Sequence, residues 1–120
     1  VQRLAPGAIE RALHGAAATR LPIMVFVGNP GCIQIHTGRV ERLLPRGPWF
    51  NVMDPDFNLH LHSPGLAEIW LVRKPTEDGV VTSLEAFDAE GELAIMLFGR
   101  RKPGEAEDPA WRALAEEQAR

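Results

Sequence analysis

Apolar and polar positions along the 120-residue chain change period several times, and each change marks an element. From Ala8 to Thr19 the chain is rich in alanine, and Ile9, Leu13 and Ala16 or Ala17 share one side at helical spacing. Pro6 stands where a first helical turn tolerates proline, and Pro22 ends the segment. Glu10 and His14 are an i,i+4 pair on that helix. Ile23 to Val27 is then apolar and largely β-branched, Gly28-Asn29-Pro30-Gly31 is rich in turn formers, and Cys32 to His36 follows up to Gly38. Two strand patterns around such a tetrad read as a β-hairpin.

Val40 to Leu44 is a weaker strand pattern, followed by a turn at Pro45-Arg46-Gly47-Pro48 and a further strand at Trp49 to Met53. Phe57 to His62 alternates strictly, so Phe57, Leu59 and Leu61 face one way and Asn58, His60 and His62 the other. Glu68 to Arg73 reads as a strand and Lys74 to Gly79 as a loop. Val80 to Phe87 and Glu92 to Arg100 flank Asp88-Ala89-Glu90-Gly91, the clearest hairpin signal in the chain. After Lys102-Pro103-Gly104 the composition turns acidic, and Asp108-Pro109 starts a short helix as N-cap and first residue. The order is helix, six to eight short strands, helix. Most links are too short for helical crossovers, so the expected fold class is α+β, one domain over residues 1–120 with a broad, mainly antiparallel sheet flanked by helices.

The hydrophobic fraction is 45% and the charged fraction 24%, which excludes disorder as the main state. No apolar run approaches the roughly 18 residues a membrane span needs, so no membrane partner is expected. Net charge is −3, which disfavours a nucleic-acid partner, since phosphate neutralisation calls for a basic excess. A single cysteine and the lack of a visible leader point to a cytoplasmic protein. A chain that begins at Val1 without methionine suggests a piece of a longer one, a processed product or an engineered fragment.

Three constellations carry candidate chemistry. His60 and His62 share a strand face, Gln34 and His36 make a similar polar row, and Glu68 lies six residues after His62. Imidazole pairs with a nearby carboxylate suit iron, manganese or zinc, as in a barrel-type metal enzyme. The same residues suit still better the polar face of a half-exposed sheet, since no second metal-type motif accompanies them. Cys32 reads as a small buried residue rather than a reactive thiolate. Arg73-Lys74 and Arg100-Arg101-Lys102 each end a predicted strand, where cations bind carboxylate or phosphate groups of a ligand or form a solvated rim. The methionines and the three tryptophans read as core.

Several long motifs occur in a fixed order. They run from Leu21 through Asn29-Pro30-Gly31-Cys32 to Gly38, and from Gly47-Pro48-Trp49-Phe50 through Asp54-Pro55-Asp56-Phe57 to Leu61. Val72 to Gly79, Val81 to Asp88 and Phe98 to Gly104 continue the series. In these stretches the chain resembles the bacterial haemin-utilisation proteins of the HemS/HmuS/ChuX type, from about Pro6 to Leu114. The longer branch of that family is similar to two tandem copies of one unit, and this chain resembles the C-terminal copy, truncated at its N-terminal side.

The resemblance implies two stacked halves with haem at a cleft beside the sheet. The family's axial histidine lies upstream of the stretch matching Val1, so no histidine of this chain takes that role. The family's distal arginine belongs to the other half. Lys74 and Arg101 match positions that hold the haem propionates, and Phe26 and Phe98 are expected to contact the porphyrin. The resulting expectation is the C-terminal domain of a haemin-binding protein for haem trafficking and iron acquisition, with haem degradation left open for the intact protein. Its partners would be haem and a companion N-terminal repeat or a second copy in a homodimer. The chain alone would bind haem weakly or not at all. Two other readings stand beside this one: the metal enzyme built on His60, His62 and Glu68, and a structural or dimerisation half without its own ligand.

Overall fold

The computed structural model describes every residue of the chain except Pro103, which lies in the Phe98–Gly104 stretch. Among the described residues nine strands form two sheets, with a helix near each end. In chain order these are β1 (Gln2–Leu4), α1 (Ala8–Thr19), β2 (Ile23–Asn29), β3 (Cys32–Gly38), β4 (Leu43–Arg46), β5 (Trp49–Met53) and β6 (Asn58–His62). A 3-10 turn at Ser63–Gly65 precedes β7 (Glu68–Thr76), β8 (Gly79–Phe87), β9 (Leu93–Gly99) and α2 (Pro109–Glu117). The larger sheet has the order β1-β7-β8-β9-β2-β3 and the smaller β4-β5-β6. Every strand pair is antiparallel. The α+β, antiparallel expectation holds, with the strands divided between two sheets rather than joined in one.

Turn chemistry explains the hairpins. At the β2–β3 tip Asn29 pairs with Cys32, and the Asn29 side-chain oxygen accepts from the Gly31 N–H at 2.8 Å. Between β8 and β9, Asp88 Oδ1 accepts from the N–H groups of Glu90 and Glu92, each at 2.9 Å. Gly91 takes the left-handed φ of 79° that this turn needs, at no steric cost to glycine.

Prolines end strands less often than the sequence suggests. Pro75 lies inside β7 and Pro45 inside β4, where a turn and a loop were expected. Strand β4 is an edge, and β1 flanks β7 only from Ile69 to Leu71, so both prolines have a side on which no N–H is required.

Alternation sorts the larger sheet into two faces. Ile23, Val25, Leu71, Leu84, Ile95 and Leu97 are buried on one face, beneath Ile9, Leu13 and Ala16 of α1 and Trp111 and Ala115 of α2. Phe50, Val52, Leu59 and Leu61 close the same core from the smaller sheet. Asp108 caps α2, accepting from the Ala110 N–H at 2.8 Å. Gly99 lets Trp111 lie directly on β9: a Cβ there would sit 2.7 Å from the indole Cγ.

Of the residues assigned to the core, Trp111 is buried, Met24, Met96 and Trp70 are only half-buried, and two more are exposed. Trp49 is 45% and Met53 39% exposed, because both project from the outer face of the three-stranded sheet, which no helix covers. The Glu10–His14 pair does not form an interaction. His14 instead meets Phe50 edge-on, with ring centroids 5.2 Å apart.

Candidate functional site

The face of the larger sheet opposite the helices carries the candidate site. Register places Met24 opposite Phe98 and Phe26 opposite Met96 on neighbouring strands β2 and β9. The rings of Phe26 and Phe98 meet edge-to-face, with centroids 5.2 Å apart and planes at 66°, a favoured arrangement of aromatic quadrupoles. With Met24 and Val81 they form the apolar floor of an open cleft of about 400 Å³, walled by Asp78, Arg101 and Glu107.

Arg101 follows β9 and is fixed from two sides. Its Nη1 donates to Asp78 Oδ2 at 3.2 Å and to the Glu105 carbonyl at 3.1 Å. The same Asp78 oxygen accepts from the Gly104 N–H at 3.1 Å, so one carboxylate ties the β7–β8 turn to the segment after β9. Nε and Nη2 of Arg101 have no partner among the described residues, which leaves donors for an incoming carboxylate.

Lys74 sits inside β7, opposite Val81 of β8, and is exposed. It shares the face of the cleft through that pairing but does not line it. The fold therefore gathers Phe26, Phe98 and Arg101 and leaves Lys74 one strand from the floor. Its neighbour Arg73 points to the helical side and reaches Glu116 of α2 at 3.5 Å.

Glu107 and Asp78 were not singled out in the sequence. Glu107 is a buried carboxylate at the base of the cleft wall. It accepts from the Thr82 N–H at 2.5 Å, the Thr82 hydroxyl at 2.8 Å and Arg112 Nε at 2.9 Å. Trp111 Nε1 donates to the Thr82 carbonyl at 2.9 Å, so both backbone polar groups of Thr82 are engaged by the C-terminal segment. A buried polar cluster in which each group finds a partner rigidifies what it joins. Here it holds the segment between Arg101 and α2 against β8.

None of the four histidines lines the cleft. His36 stacks on Phe57 with centroids 3.9 Å apart, and His62 lies against Trp49 at 4.9 Å. The His60–His62–Glu68 constellation is corrected: Glu68 belongs to the larger sheet and faces Arg3 at 3.7 Å, while both histidines lie on the smaller sheet. The described residues hold no group of three or more His, Cys, Asp or Glu placed around a metal ion. Cys32 is also corrected, from buried to exposed. It opens the edge strand β3 at the hairpin tip.

The sequence and the fold of the chain both have known relatives. The family model of the haemin-degrading HemS.ChuX domain matches residues 1–118. The chain belongs to that family. The hemin transport protein HmuS of Yersinia pestis is 46% identical over 104 residues, which are 87% of this chain and 30% of that protein. The structure of apo-PhuS, a heme-binding protein from Pseudomonas aeruginosa, superposes with a TM-score of 0.96 at 58% identity, over 98% of this chain and 34% of that one. ChuS, an Escherichia coli heme oxygenase, gives 0.94 at 42% identity, over 98% of this chain and 36% of that one. ChuX shares the fold at 15% identity with a TM-score of 0.78. The chain thus spans about a third of the length of HmuS, PhuS and ChuS. Among the described residues no helix is long and apolar enough to cross a membrane.

Proposed function

We propose that this chain is a haem-binding domain that supplies one wall of a haem site, in a cytoplasmic protein serving haem trafficking and iron acquisition. The observation that carries the reading is the cleft: an aromatic and aliphatic floor of Phe26, Phe98, Met24 and Val81 with the Arg101 guanidinium at its polar wall. A flat apolar macrocycle with two carboxylates calls for that combination. Holo-PhuS, a heme-binding protein whose structure matches with a TM-score of 0.96, supports haem as the ligand class. Phe26 and Phe98 would hold the porphyrin face, and Arg101 and Lys74 the propionates. The ion pair with Asp78 orients Arg101, and each propionate contact to a cation is worth about 1.5–3 kcal/mol where water is partly excluded.

Haem itself would supply redox-active iron. No imidazole of this chain borders the cleft, so the axial ligand would come from outside these residues. The chain alone should therefore bind haem weakly and show no His-ligated Soret band. In the intact protein, haem degradation of the kind named for ChuS needs the rest of the site.

The open face also calls for a cover. Ile33 and Ile35 are 57% and 54% exposed on the same side as Phe26, an apolar margin that a companion repeat or a second copy of the chain would bury. Replacing Lys74 and Arg101 together with alanine in the two-repeat protein tests the reading. Haem affinity should fall at least tenfold, equivalent to about 1.4 kcal/mol. An unchanged affinity would reduce both residues to surface cations.

A further inference from the structure

We infer that His60 and His62 form a two-imidazole chelate for a divalent first-row transition ion on the outer face of the three-stranded sheet. The site is separate from the haem cleft and does not rest on that reading. Both residues are exposed on β6 and separated by one residue, Leu61, whose side chain is buried, so the imidazoles leave the same face about 7 Å apart along the strand. Rings at that spacing can lean toward one ion at metal–nitrogen distances of about 2.0–2.1 Å.

The neighbouring strand β5 prepares the rings. Asn51, opposite His60, donates its Nδ2 to the Leu44 carbonyl at 3.0 Å. A carbonyl only accepts, so the Asn51 amide is fixed with Oδ1 turned away from Leu44. That oxygen lies 2.8 Å from His60 Nδ1, and an amide oxygen also only accepts. The Nδ1 atom of neutral His60 therefore carries the proton, and its Nε2 keeps a free lone pair. Orientation of an imidazole by a hydrogen bond to its other nitrogen is how ligating histidines are set. His62 is held against Trp49, with ring centroids 4.9 Å apart. Its Nδ1 lies over Gly65, where an added Cβ would be only 3.2 Å away. Two nitrogens leave the remaining coordination positions to water. Copper(II), near the top of the affinity order for such donors, is the probe of choice.

The experiment is a copper(II) titration of the chain carrying Cys32→Ser, because the exposed thiol would itself react with copper. One ion should bind, with an electron paramagnetic resonance spectrum showing two equatorial imidazole nitrogens and quenching of Trp49 fluorescence. His60→Ala and His62→Ala should each weaken binding at least tenfold, whereas His14→Ala and His36→Ala should leave it unchanged. Asn51→Leu should also weaken binding, and Asn51→Asp should restore it by returning an acceptor to Nδ1–H. Nitrogen chemical shifts of the metal-free protein read the His60 tautomer directly, without any variant. A proton on Nε2 rather than Nδ1 would overturn the inference. So would a two-nitrogen spectrum that survives either His60→Ala or His62→Ala.

Discussion

Removing the Glu107 carboxylate should be among the most destabilising single changes in the chain. In Glu107→Ala the Thr82 N–H and hydroxyl lose their acceptors at a residue that is fully buried. Each buried donor left unpaired costs about 1–3 kcal/mol, so the pair amounts to about 2–6 kcal/mol. Arg112 adds little, since its side chain is 43% exposed and regains water when the 2.9 Å contact is lost. A loss of that size is a large part of the ~5–15 kcal/mol typical of a folded domain. Urea unfolding followed by circular dichroism is the assay. With a slope near 2 kcal/mol per molar, the midpoint should fall by about 1–3 M. Thr82→Val alone and in combination completes a double-mutant cycle, which should return a coupling of about 1 kcal/mol or more. A loss below about 1 kcal/mol at unchanged slope, with no coupling to Thr82, would refute the argument. Water would then be satisfying those donors.

Two further outcomes follow from the packing. Gly99→Ala should destabilise by about 1–3 kcal/mol, because the new Cβ would press on a Trp111 that is fully buried and pinned through Nε1, and the urea midpoint reads this directly. Cys32 should react with an aromatic disulfide as fast as a free cysteine in the native state; strong protection would contradict its exposed place at the hairpin tip.

Elements governed by local chemistry were legible in the sequence. Asn29-Pro30-Gly31, Asp88 to Gly91 and Asp108-Pro109 each specify their own turn or cap, and the structure places a hairpin or a helix start at each. Strand β1 escaped because three residues, Gln2 to Leu4, show no period; pairing with β7 alone makes them a strand. Period-2 alternation also cannot tell which sheet a strand joins, and so Glu68 was grouped with His60 and His62. Lys74 was placed at a strand end because Pro75 mimics a terminator, while β7 continues to Thr76. Of the site, Arg101 stands out as a cation at a strand end and through the family resemblance, and Phe26 and Phe98 as apolar side chains fit to meet a porphyrin; the fold brings the three to one cleft. Asp78 and Glu107 stand in a turn and an acidic stretch, where nothing local distinguishes a carboxylate fixed by the fold from a solvated one.

Backbone amide shifts on adding a porphyrin test whether the Phe26–Phe98 cleft is the wall that holds it. Diamagnetic gallium protoporphyrin IX titrated into the nitrogen-labelled chain avoids paramagnetic broadening and needs no axial histidine. Saturable shifts are expected at Met24, Phe26, Val81, Phe98 and Arg101, with Trp49 to Met53 and Asn58 to His62 unmoved. Shifts confined to the three-stranded sheet, or none in the cleft at concentrations that saturate binding, would contradict it.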